Sequence, residues 1–269
     1  MKIRISLVHY LNSAPLGWAF LQGPLSDGFE VIPSSPADCA DQLAEGEADI
    51  GLIPSIEYQR IPDLRIIPGI SISSLDAVRS ILLIRSKGTD RIRSVAMDTC
   101  SRTSVTLARI LLEQKLEIHP EYVPHPPNPP EMLKRCDAAV VIGDPALLVN
   151  PEDYDTIDLA QEWVRWQARP FVCAVWACRS SVPASADLVS TFQKARDWGL
   201  KRRLEIAGVF GRSLNLPVPF LDDYLRNNID YNLGRGHIEG LQAFHQMAAR
   251  QNLIPGLRPL EFLESPPAA

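Results

Sequence analysis

Two segments of the chain are built alike: Ala48 to Tyr58 (Ala-Asp-Ile-Gly-Leu-Ile-Pro-Ser-Ile-Glu-Tyr) and Cys136 to Leu147 (Cys-Asp-Ala-Ala-Val-Val-Ile-Gly-Asp-Pro-Ala-Leu). In each, an acidic residue (Asp49, Asp137) opens a continuous apolar run that breaks at Pro54-Ser55 or Gly143-Asp144 into a helix start. Such a run reads as a strand buried on both faces of a parallel sheet, and the break leaves backbone N–H groups at its carboxyl end. Open α/β sheets hold their ligands at that end. One such end in each half of the chain predicts two lobes with a small anionic molecule between them.

The rest of the pattern agrees with an α/β class. Strands at 2–8, 29–32 and 49–53 alternate with helices at 16–21 and 36–45, which predicts parallel strands joined by right-handed crossovers. The apolar runs Ser80 to Arg85 and Phe171 to Ala177 flank a central block with its own strand (94–97) and helix (about 102–115), and read as the passages between lobes. The expected division is a discontinuous lobe one, residues 1–84 plus 176–269, and a lobe two of residues 85–175. Pro120 to Pro130 reads as a rigid surface connection containing a short strand at Tyr122-Val123. Helical spacing at 186–206, 217–228 and 237–250 predicts helices packed back on lobe one, and Ser265 to Ala269 reads as a frayed tail. Trp163, Trp166, Phe171 and Trp176 read as core, or one of them as lining of the cleft.

Composition excludes several partners. A net charge of −5 with no basic run argues against nucleic acid and anionic membranes, and no apolar stretch reaches membrane-spanning length. The N-terminal segment lacks a secretory apolar region, and the five scattered cysteines read as free thiols, so a cytoplasmic location is expected. There is no P-loop, no G-x-S-x-G and no G-x-G-x-x-G after a strand, and no His/Cys/Asp/Glu spacing suits a metal. An anion must then be held by local donors, with no metal or cofactor expected.

The richest source of donors is Asp98-Thr99-Cys100-Ser101-Arg102-Thr103-Ser104, where a strand runs into a helix. A cap needs one hydroxyl; Thr99, Ser101, Thr103 and Ser104 with Arg102 exceed that need at a helix start whose dipole favours an anion. Asp98 reads as structural. Arg79 can fork onto a carboxylate or form a surface ion pair, and Ser80 opens an apolar run where a surface role is hard to explain. Asn12, after the first strand, offers an amide to a ligand or forms a turn. Glu57 is a base or a partner of a helix dipole, and His9 is the histidine nearest a candidate site.

Taken together the residues resemble the chorismate dehydratases of the futalosine route to menaquinone. The matching pieces are Tyr10-Leu11-Asn12-x-x-Pro15, Ala48-Asp49-x-x-Leu52-Ile53-Pro54-x-x-Glu57-Tyr58, Arg79-Ser80-x-Leu82-Leu83, Asp98-x-x-Ser101-Arg102-Thr103-Ser104, Val141-Ile142-Gly143-Asp144-x-Ala146-Leu147 and Phe171-Val172-x-Ala174-x-Trp176-Ala177. The resemblance implies a two-lobed periplasmic-binding-protein-like fold of the second type, each lobe a mainly parallel sheet flanked by helices, used as a lyase on the dianion chorismate. It further implies that Ser101, Arg102, Thr103, Ser104, Ile142, Gly143 and Asp144 hold a carboxylate, with Arg79 assisting. Ser80 and Asn12 would act on the reacting centre, and the proton would go to the substrate's own enolpyruvyl carboxylate, to His9 or to Glu57. A non-catalytic binding protein for an anionic solute and the later lyase of the same pathway are the alternatives.

Overall fold

β1 (Ile3–Val8), α1 (Ala14–Gln22), β2 (Phe29–Ser34), α2 (Pro36–Glu45) and β3 (Ile50–Pro54) follow in the predicted alternation, in a computed structural model that describes residues 2–263. The tail from Ser265 lies outside the described residues. An eleven-residue strand, β4 (Leu64–Ser74), comes next and is absent from the sequence reading. Pro68-Gly69 reads as a turn there. The pair instead forms a bulge inside the strand, with Gly69 at φ 80° and a shift in register against its neighbour.

The chain then crosses to a second sheet. β5 (Ile81–Ser86), β6 (Ser94–Asp98), α3 (Thr103–Ile110), β7 (Glu121–His125), α4 (Pro129–Arg135), β8 (Ala138–Ile142), α5 (Gly143–Leu147), β9 (Tyr154–Asp158) and α6 (Leu159–Gln167) make the second lobe. The chain returns through β10 (Phe171–Arg179) to α7 (Ala186–Leu200), α8 (Arg203–Leu214), α9 (Val218–Asp223) and α10 (Arg235–Arg250). The single helix expected over 186–206 is two, because Arg202 leaves helical geometry (φ −111°, ψ 19°), while both pieces bury apolar faces, Phe192 and Ala195 in one, Ile206 and Phe210 in the other. The Pro-rich piece holds the short strand expected at Tyr122-Val123 and adds a helix start. It contains β7 and the start of α4, where the Asn128 side chain caps Glu131 N–H.

The two sheets have the same plan, β2-β1-β3-β10-β4 and β7-β6-β8-β5-β9. In each, three strands are parallel and the next is an antiparallel strand arriving from the other lobe, so half of the pairings are antiparallel and the sheets are mixed rather than mainly parallel. β5 and β10 are therefore full members of buried sheets, not connecting passages. The expected boundaries at 84/85 and 175/176 fall inside them, whereas the chain changes sheet between Ser74 and Ile81 and between Gln167 and Phe171.

The two like-built segments, Ala48 to Tyr58 and Cys136 to Leu147, carry the equivalent central strands β3 and β8. Their leading acids do the same work: Asp49 accepts the N–H of Arg4 at 2.9 Å, and Asp137 accepts those of Arg93 and Ser94 at 2.8 and 3.1 Å. Each thus clips its strand to the parallel strand beside it, β3 to β1 and β8 to β6. Trp163 of α6, Phe171 of β10 and Phe244 of α10 are buried and meet edge to face with centroids 5.3–5.9 Å apart, joining α6 of the second lobe to β10 and α10.

Candidate functional site

The carboxyl ends of β1, β3, β6 and β8 face one another across a crevice. Tyr10, Asn12 and Pro54 wall it from lobe one, Ser101 to Ser104 with Ile142 and Gly143 from lobe two, and Ser80 stands where the chain crosses.

α3 begins at this crevice without a side-chain cap. Thr106 is the first of its amides to find a backbone acceptor outside the regular ladder, Arg102 O at 3.2 Å, so the N–H groups of the first turn are open to a ligand. Ser101 and Ser104 are buried, line the crevice and have no side-chain partner among the described residues. The Thr103 hydroxyl accepts Ile56 N–H from lobe one at 3.3 Å, which leaves its own proton to donate. None of the three is used as a cap. Buried hydroxyls and a bare helix start make a donor set for a carboxylate.

Asn12 is equally uncommitted. Its carbonyl accepts the Tyr231 hydroxyl at 2.9 Å and the adjoining Ser13 hydroxyl donates to Val8 O and to Tyr10 O, so the loop is pinned by other groups. The Asn12 amide itself has no partner among the described residues and lines the crevice. Ser80 is fully buried; its carbonyl accepts Gly143 N–H at 2.9 Å and its hydroxyl accepts the Tyr224 hydroxyl at 2.7 Å.

Five expected site residues have other work. Arg79, in left-handed backbone at φ 63°, directs its guanidinium away from the crevice to Asp223 (2.9 Å) and Asn228 (3.1 Å), over the Phe220 ring. Asp144 turns its carboxylate to Leu11 N–H of the other lobe at 2.9 Å and does not line the crevice; burial pushes its pKa up to about 6. His9 is exposed and packs on Phe210, with ring centroids 5.9 Å apart. Glu57 is 3% exposed and neutralised by Arg60 and by Arg102 at 3.0 Å. Arg102 reaches the crevice wall, yet its guanidinium spans Glu57 and both oxygens of Asp41 at 2.8 and 2.7 Å. It ties lobe two to lobe one, and its charge is already answered.

Tyr10 was not expected at the site, whereas Asp98 keeps the structural place expected of it. Tyr10 lines the crevice and stacks its ring on Gly143; burial first, then Asp98, raise its phenol well above the ordinary value, so it is a neutral donor. Its place two residues before Asn12 was the available signal. Asp98 lies beneath the turn, with one oxygen accepting Cys100 N–H at 2.8 Å and the other without a partner among the described residues. Burial pushes its carboxyl up to about 6. A carboxyl whose folded pKa is raised stabilises the fold below its unfolded value and loses that contribution as pH rises through the folded one. Asp98→Asn keeps the acceptor for Cys100 and removes the ionisation. It is expected to raise the unfolding free energy at pH 8 by on the order of 2 kcal/mol and to leave it near the parent's at pH 4. Urea unfolding at the two pH values checks this; an equal change at both removes the titration from the explanation.

Among the described residues no group of three His, Cys, Asp or Glu side chains could hold a metal ion, and no helix is long and apolar enough to cross a membrane. A family profile described as menaquinone biosynthesis matches residues 3–250. The chain is 31% identical over 258 residues to a chorismate dehydratase of Thermus thermophilus, covering 89% of this chain and 93% of that protein. Among solved structures it superposes on a structural-genomics protein of Archaeoglobus fulgidus with TM-score 0.75 at 17% identity, covering 94% of this chain and 98% of that one. It also superposes on the periplasmic aliphatic sulphonate binding protein of Escherichia coli with TM-score 0.60 at 14% identity, covering 100% and 95%. The structural likenesses establish the two-lobed binding-protein-like fold. Matched over nearly its whole length by one profile, the chain belongs to the menaquinone-biosynthesis family.

Proposed function

We propose that this protein is a chorismate dehydratase, a hydro-lyase that removes water from chorismate to leave 3-[(1-carboxyvinyl)oxy]benzoate. The observation that carries the reading is the uncapped start of α3, with the free hydroxyls of Ser101 and Ser104, lining the same crevice as the unpartnered Asn12 amide. One carboxylate of the dianion sits on the helix start; the leaving hydroxyl meets Asn12, and Ser80 donates at the reacting centre. The ring proton leaves first, and the charge it leaves behind spreads toward the ring carboxylate held by those donors. Loss of hydroxide with that proton makes water, and aromatisation supplies the driving force.

His9 is exposed and Glu57 is locked between two arginines, which favours the enolpyruvyl carboxylate of the substrate as the proton acceptor. A group inside the bound molecule needs no separate positioning. The five free cysteines and the biosynthetic family support a cytoplasmic setting. Purified protein mixed with chorismate is expected to consume it and release a benzoate, seen by absorbance and mass, and His9→Ala is expected to turn over at the parental rate. Chorismate bound but recovered unchanged would return the protein to the solute-binding class. A product formed only from a later, nucleoside-derived intermediate would move it to the other lyase.

A further inference from the structure

Ser80 is placed by a device that no part of the crevice explains. After α9 the chain widens into a single π-helical turn, Tyr224–Asn228. Such turns insert one residue into a helix and re-aim a side chain. This one is fastened to the crossing segment at three points. Asn228 donates to Ala77 O at 2.9 Å, Arg79 reaches Asp223 at 2.9 Å and Asn228 at 3.1 Å, and the Tyr224 hydroxyl meets the Ser80 hydroxyl at 2.7 Å. Tyr224 and Ser80 are both 1% exposed.

We infer that Tyr224 is a positioning residue: by donating its proton to Ser80 Oγ it obliges the Ser80 hydroxyl to point its own proton into the crevice. A serine hydroxyl has one proton and two lone pairs. The tyrosine takes a lone pair, the described residues offer no acceptor for the serine proton, and the crevice is the face of Ser80 that is lined for a ligand. Burial raises the Tyr224 phenol far above its usual value, so it keeps its proton throughout the working pH range, and Ser80 Oγ is the one acceptor for that proton among the described residues. A serine free to rotate would present either a lone pair or a proton to the developing negative charge. The bond from Tyr224 removes the wrong orientation before substrate arrives, and the clamp through Arg79 keeps the π turn at the right distance. Arg79 thus serves the site from outside it.

This rests on the role of Ser80 in the proposed elimination, and the test separates the two. Tyr224→Phe keeps the ring and deletes one hydroxyl. It is expected to lower kcat about tenfold, with KM within about twofold, which is the scale of one hydrogen bond. Ser80→Ala is expected to lower kcat further, and Tyr224→Phe added to it to change nothing more, since its effect runs through the serine. A parental kcat in Tyr224→Phe, or the same tenfold loss when Ser80 is already alanine, overturns the inference while leaving Ser80 in place. A parental kcat in Ser80→Ala overturns it one level down, at the role of the serine, and a parent inert toward chorismate overturns both.

Discussion

Asn12→Ala is expected to lower kcat for chorismate by about 10²–10³-fold while KM stays within about threefold, the loss found when one preorganised donor is removed from a developing charge. The expectation follows from how the loop is built. Val8 O, Tyr10 O and Asn12 O are all engaged by hydroxyls of Ser13 and Tyr231, so the backbone holds its course without the Asn12 side chain. The amide makes no bond of its own among the described residues, and truncation leaves no protein group unpaired. Stability is therefore expected to change by less than about 0.5 kcal/mol, as for a substitution away from packed or bonded features. Binding draws on the α3 start and the hydroxyls around it, which the variant retains. Steady-state kinetics beside a thermal melt decide the matter. A KM raised a hundredfold at parental kcat would make Asn12 a binding group only, and an unchanged kcat/KM would take it out of the site.

What could be read from residues alone divides along a physical line. The helix start at Ser101 to Ser104 and the loop carrying Asn12 were legible because their groups are neighbours in sequence, and a strand end followed by a helix start has local signals. The charged residues were harder to assign, and Arg79 was left open between a carboxylate and an ion pair, because a charge is free or spent according to partners far along the chain. Arg79 meets Asp223, 144 residues away; Asp144 meets Leu11, 133 away; Arg102 meets Asp41, 61 away. No spacing rule announces these pairs. β4 was lost for a different reason: Pro68-Gly69 has the chemistry of a turn, and only the register of β10 against it turns that chemistry into a bulge. The lobe boundaries slipped by several residues for the same kind of reason, since an apolar run looks alike whether it links two sheets or completes one. Tyr224, which has no motif at all, could be found only from its contact with Ser80.

Gly143→Ala should be as damaging as the loss of Asn12, by a steric route. Gly143 sits at φ 62°, and a Cβ built there would lie 2.6 Å from two carbons of the Tyr10 ring, closer than real Cβ contacts come. Its N–H is also the group that holds Ser80 O, so any retreat of the turn moves Ser80 as well. Tyr10 lines the same crevice wall as Asn12, so a displaced ring changes the shape of the site. A displacement of about 1 Å at a reacting centre is enough for a hundredfold loss of kcat/KM, and a fall of at least that size is expected. Gly88 provides the comparison: it has φ 80° and nothing within 4 Å of a built Cβ. Gly88→Ala carries only the backbone strain, about 1–2 kcal/mol, and is expected to lower the melting temperature while keeping parental kcat/KM. The difference between the two variants isolates the contact with Tyr10. Should Gly143→Ala turn over chorismate as well as Gly88→Ala does, the meeting of Tyr10 with the β8 turn plays no part in shaping the crevice.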